Sequence, residues 1–211
     1  MKAIIFSLLG WMFLPVMDGF AKFLSDDLPI LQITWARYFF TVVFILPIMM
    51  FFFKNKLTWS DKPKLQILRG LILLSANICF FYAISIISLA KALTLAFVAP
   101  LIVTAFSPVM LGEKVGFRRW TAVVVGFIGS LVVIRPGFVE LNFASLAALG
   151  TGILYGFYLI ITRKLSTSDN PLLTLLMTGM VGAILVSAII PFYWVKPSLN
   201  QWSLMAGIGV F

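Results

Sequence analysis

Apolar residues arrive in long blocks, one after another, with short charged gaps between them. Each block runs about 17–25 residues, and roughly 20 helical residues cross a hydrocarbon core. A soluble domain of 211 residues could not hide so much apolar surface, since 62% of the chain is hydrophobic and 11% is charged. The runs are continuous and do not alternate polar with apolar, which excludes a β-barrel. Inside lipid every backbone N–H and C=O must be paired, so the runs must be helices. The expected fold is an all-α, polytopic transmembrane helical bundle.

The expected spans are Ala3–Leu24, Pro29–Phe53, Leu65–Ile87, Ala92–Gly112, Trp120–Ile134, Phe143–Ile161 and Pro171–Val195, with an eighth starting near Trp202. Leu65–Gly112 cannot be one helix, which would reach roughly 70 Å. Its break is placed at Ser88–Lys91, where a charge interrupts the run. Lysine and arginine orient such proteins. With the N-terminus in the cytoplasm, the inner side holds Lys2, Lys54, Lys56, Lys62, Lys64, Arg69, Lys114, Arg118, Arg119, Arg163 and Lys164. The outer side holds only Lys22, Lys91, Arg135 and Lys196. The first block resembles a signal peptide but has no small-residue cleavage site, so it is expected to be retained as a span.

A weak internal repeat appears. Lys22-Phe-Leu-Ser25 matches Arg163-Lys-Leu-Ser166, and a proline follows each (Pro29, Pro171). Five spans separate the copies, so they point in opposite directions, as in inverted-repeat carriers. The first half is expected over residues 1–137 and the second over 142–211. A second half of equal length needs two more helices, so a full protein of about 280–300 residues is expected.

The net charge of +9 is accounted for by gap residues and gives no reason to invoke nucleic acid. No histidine is present, which excludes Ser-His-Asp and Cys-His catalysis. Seven carboxylates, mostly in gaps, argue against a metal or cofactor site. Cys79 reads as a packed side chain.

Residues 89–137 carry a recognisable pattern: Ala99-Pro100-Leu101 in mid-span, Leu111-Gly112-Glu113, Arg118-Arg119-Trp120, Gly126 with Gly129, and Arg135-Pro136-Gly137. Met17-Asp18, Ala21-Lys22, Arg37 and Leu68-Arg69-Gly70 agree with it. The chain thereby resembles the drug/metabolite transporter (DMT) superfamily, EamA type, and in detail its S-adenosylmethionine/riboflavin uptake branch. That resemblance implies ten helices in two inverted five-helix halves, of which this chain would hold the first and part of the second.

Asp18 and Arg37 fall at similar depths on two antiparallel spans. Intramembrane charges need a partner or a wet cavity. They are expected either to pair, to line a solute path with Asp18 a candidate for proton coupling, or to leave Asp18 paired with Lys22 one turn on. Lys91 stands at the outer mouth, to attract an anion or to snorkel. Pro100 and Pro108 interrupt span 4, and Pro100 is a candidate hinge. Trp11, Tyr82, Tyr155 and Tyr158 are cavity candidates, because a buried indole or phenol needs a polar partner. Trp194 and Trp202 suit an interfacial belt. Gly126–Ser130 and Gly152–Gly156 suit close helix approach.

The expected function is secondary transport of a small organic solute across the inner membrane by alternating access, in contact with lipid and without a cofactor. The rivals are a scaffold subunit and, with less support, a membrane-embedded transferase.

Overall fold

The computed structural model describes residues 15–52, 60–134 and 142–210. Those residues form helices and turns, with no strand among them. Helix α1 covers residues 15–24, α2 Ile30–Phe52, α3 Pro63–Ile86, α4 Leu89–Ala96 and α5 Ala99–Leu111. Then follow α6 Phe117–Ile134, α7 Phe143–Leu165, α8 Pro171–Ile189 and α9 Leu199–Val210. Among the described residues, five stretches are long and apolar enough to cross a membrane: Ile30–Phe51, Pro63–Ile86, Leu89–Leu111, Phe143–Leu165 and Pro171–Tyr193. The chain is an all-α polytopic bundle. Lys54, Lys56, Trp11 and the Arg135-Pro136-Gly137 stop lie outside the described residues.

Local chemistry sets the helix ends. Pro63 and Pro171 open α3 and α8, where a missing N–H costs nothing. The side chains of Asn142 and Asn170 accept from Ser145 N and Leu172 N, each at 2.9 Å, and so cap α7 and α8. Gly112 closes α5 in the left-handed conformation, φ 70°, which glycine adopts without a Cβ penalty.

The fourth span is broken. The helix stops at Ala96, turns through Phe97–Val98 and restarts at Ala99. Pro100 lies in the first turn of α5 and cannot donate to the carbonyl four residues back, that of Ala96. Helix α7 seats this break. A Cβ added at Gly152 would come 2.6 Å from the Ala96 carbonyl oxygen, and one at Gly156 would come 2.7 Å from Ile102 Cβ. The Gly152–Gly156 pair therefore allows close approach. The same expectation fails at Gly126, which has nothing within 4 Å of its Cβ direction, because the face of α6 that carries it is open.

Packing centres on α3, which lies against α7 and α8, while α2 lies against α8 and α9. In lipid the apolar medium supplies no net burial drive, so close packing and interhelical hydrogen bonds hold the bundle. Small residues serve this directly: Gly182 of α8 sits under the Tyr38 ring of α2. Outward-facing Phe51, Val109, Ile184 and Phe192 are exposed, as lipid contact requires.

The bundle has two distinct ends. At one, Glu113 pairs with Arg163 (2.7 Å) and Arg119 (3.8 Å), near the start of α3. At the other, Lys22 Nζ donates to the Ile84 carbonyl (2.6 Å), and Gln32 exchanges two hydrogen bonds with the backbone of Val195. Trp194 and Trp202 lie together at this second end, 6.0 Å apart. The two are called below the Glu113 end and the Lys22 end.

Candidate functional site

A cavity of about 410 Å³ lies where α1, α2, α3, the α4–α5 break and α7 converge. Its polar lining is Asp18, Arg37, Asn77 and Thr151. Its aromatic wall includes Tyr155 and Phe80, and Pro100 borders it beside the break. A second cavity, of about 610 Å³, shares Arg37 and Leu73 and runs along α2 and α8 past Tyr38 and Thr178. Arg37 thus stands between the two spaces.

Asp18 is buried on α1 and has no ion pair or hydrogen bond with any described residue. Lys22 is engaged with Ile84 instead, so the one-turn pairing does not form. Arg37 donates to the Met17 thioether (2.7 Å). Asp18 and Arg37 therefore share a cavity wall without closing a salt bridge. A carboxylate and a guanidinium left apart inside a membrane can each take a complementary group from a guest. Asn77 Nδ2 donates to Tyr38 Oη (2.7 Å), which joins α3 to α2 behind the cavity.

A third charge, placed by sequence reasoning in the cytoplasmic gap, is part of the core. Arg69 lies two turns into α3 and is 4% exposed. Its guanidinium donates to Thr162 Oγ1 (2.7 Å), to the Thr174 carbonyl (3.0 Å), to Tyr158 Oη (2.7 Å) and to Thr178 Oγ1. It also sits 4.5 Å from the centroid of the Tyr158 ring. Tyr158 stacks on Tyr155 with centroids 5.4 Å apart. The order is therefore Arg69, Tyr158, Tyr155, cavity.

Towards the Glu113 end the polar string continues. Gln66 Nε2 donates to Thr174 Oγ1 (3.1 Å) and to Asp169 Oδ2 (2.6 Å), and the Ser60 hydroxyl also donates to Asp169. Burial pushes the Asp169 carboxyl upward, but the hydrogen bonds from Ser60, Gln66 and Ser168 and the charge of Lys62 outweigh it. The net result holds Asp169 below the usual carboxylate range.

Of the residues singled out from sequence, Asp18, Arg37, Pro100 and Tyr155 meet at one cavity, with Tyr158 directly behind it. Tyr82 and Lys91 are exposed and line neither cavity. Trp11 lies outside the described residues. Sequence reasoning missed Arg69, Asn77, Gln66, Thr151 and Asp169. The signal was there for three of them: Gln66, Arg69 and Asn77 fall on one face of α3 at helical spacing.

Comparisons with known proteins identify the family. The EamA-like transporter family matches residues 1–135. The S-adenosylmethionine uptake transporter of Rickettsia prowazekii is 28% identical over 91% of this chain and 65% of its own length. The riboflavin transporter of Vibrio cholerae is 24% identical over 92% of this chain and 67% of its own. The pseudopaline exporter CntI of Pseudomonas aeruginosa is 27% identical over 92% and 69%. The chain thus spans about two thirds of the length of these relatives. One solved crystal structure shares the fold over 96% of this chain and 73% of its own, with a TM-score of 0.73 at 16% identity. With more than half of its length matched by one family, the chain belongs to the EamA-like transporter family.

Proposed function

We propose that this protein carries a small zwitterionic organic solute across the inner membrane by alternating access, as a transporter and not an enzyme. The observation that carries the reading is the cavity that Asp18 and Arg37 both line without closing a salt bridge. Asp18 takes the solute's cation, Arg37 its carboxylate, and the stacked Tyr155 offers a flat wall to a ring. The relative named for S-adenosylmethionine supports a zwitterion that carries a ring, and the one named for riboflavin, which has neither charge, supports the ring alone. The names of the relatives include both uptake and export, so the direction is left to experiment.

Residues 1–137 form the first half and residues from 142 onward the second, inverted one. The N-terminus and the Glu113 end face the cytoplasm, because that side gathers Lys62, Lys64, Lys114, Arg118, Arg119, Arg163 and Lys164. Asp18 is the candidate proton-coupling group, being a membrane carboxylate that faces a cavity. The scaffold and transferase alternatives have no observation in their favour.

The test is uptake of labelled S-adenosylmethionine, and separately of riboflavin, into proteoliposomes holding the full-length protein. Asp18→Asn and Arg37→Gln should each cut uptake at least about tenfold with folded yield retained. Uptake unchanged by both substitutions would refute the assignment of the site.

A further inference from the structure

Two Asp–Gln hydrogen bonds close opposite ends of the bundle, and the internal repeat relates their aspartates. At the Glu113 end, Asp169 in the turn before α8 accepts from Gln66 in the first turn of α3 (2.6 Å). At the Lys22 end, Asp27 in the turn before α2 accepts from Gln201 in the first turn of α9 (3.0 Å). Each aspartate stands two residues before a proline, Pro29 or Pro171. The offset from Asp27 to Asp169 is 142, the same as from Pro29 to Pro171 (171 − 29). The Lys22–Ile84 bond puts the Asp27 turn at the far end of α3 from Gln66, about 27 Å away along the helix from Gln66 to Ile84. In both contacts one partner comes from the first half of the chain and the other from the second.

We propose that these two contacts are paired gates, one at each membrane face, and that the solute cavity opens to a face when the Asp–Gln contact there breaks. The inference rests on the transport reading above. Halves that rock about a mid-membrane site separate at one end at a time, so each contact breaks in one of the two states. The contacts are unequal in this structure. Asp169 is buried and also holds Ser60, and Gln66 also holds Thr174. Asp27 and its bond to Gln201 are exposed. Buried bonds to a carboxylate resist opening more than exposed ones. The Lys22 end is the one poised to open, and Arg69 continues the closed gate inward, since it donates to the Thr174 carbonyl and rests on Tyr158.

The test uses a reporter thiol in the cavity wall, Ala96→Cys, with Cys79→Ser as background. A membrane-impermeant thiol reagent is applied from either face of oriented vesicles holding the full-length protein. Gln66→Leu should raise labelling from the Glu113 face and lower it from the Lys22 face, and Gln201→Leu should do the opposite. Each shift should be about fivefold, as one lost hydrogen bond implies for a two-state equilibrium. Shifts in the same direction, or none, would overturn the proposal. Should Gln66→Leu fail to fold, the exposed pair Asp27→Cys with Gln201→Cys carries the test without it. A short bis-methanethiosulfonate, which joins the two thiols through disulfides with loss of methanesulfinate, should stop solute uptake, and reduction should restore it; uptake unaffected by the bridge overturns the gates. Opposed labelling in a protein that moves neither solute would keep the gates and remove the transport reading. Uptake without opposed labelling would do the reverse.

Discussion

Replacing Arg69 with methionine tests how the buried guanidinium is held. Four hydrogen bonds from a charged donor, at about 1.5–3 kcal/mol each, would sum to roughly 6–12 kcal/mol. The structure argues for much less. Thr162 and Thr178 each donate their own proton to the carbonyl four residues back, at 2.7 and 2.9 Å, so neither hydroxyl is orphaned. The Thr174 carbonyl keeps Thr178. Only the Tyr158 hydroxyl loses its partner outright. The guanidinium also costs at least about 2.5–3.5 kcal/mol to hold in a membrane, and methionine removes that cost while filling the space of the stem. Arg69→Met should therefore destabilise by at most about 1–3 kcal/mol, the cost of one orphaned hydroxyl, with the removed charge offsetting part of it. In thermal unfolding of the detergent-purified protein this is a fall of roughly 2–4 °C per kcal/mol. Tyr158→Phe in the same chain should recover most of it, because no half-buried hydroxyl is then left without its partner. Arg69→Ala should cost more, by about 2–5 kcal/mol, through the cavity it leaves. A loss above about 5 kcal/mol for Arg69→Met with no rescue by Tyr158→Phe would refute the reasoning, and would mean that the charge itself holds the bundle.

Three further outcomes are expected. Gly182→Ala should destabilise by about 1–3 kcal/mol in the same unfolding assay, since its Cβ would lie 2.3 Å from Tyr38 Cγ; an unchanged melting temperature would contradict the seating of α8 on α2. Asp169 has a folded-state pKa below its unfolded value, so its contribution is complete above the unfolded pKa and is lost as pH falls through the folded one. Wild-type stability should therefore decline below about pH 4 more steeply than that of Asp169→Asn, and parallel pH profiles would remove Asp169 from the account. A cysteine at position 56 should resist an impermeant reagent applied from outside the cell; efficient labelling would reverse the proposed orientation.

The sequence alone determined the fold class, because a bilayer admits so few solutions. Runs such as Ile30–Phe52 or Pro171–Ile189 have no way to satisfy their backbone in lipid except as helices, so composition and block length already dictate a bundle. Pro171 marked the opening of α8 and Gly112 the end of α5, through backbone rules that act over a few residues. The site was legible only as isolated candidates. Asp18 and Arg37 stood out because charge within an apolar block is costly, yet whether they pair depends on the relative rotation of α1 and α2, which no periodicity encodes. Arg69 sits near a basic gap, and in one dimension nothing distinguishes an anchor at the surface from a guanidinium buried under Thr162, Thr178 and Tyr158. Asp27 and Asp169 read as ordinary turn residues until the helices bring Gln201 and Gln66 to them from 174 and 103 positions away. Tertiary structure decided these points because each contact joins residues remote in the chain, and its partner is set by how helix faces pack.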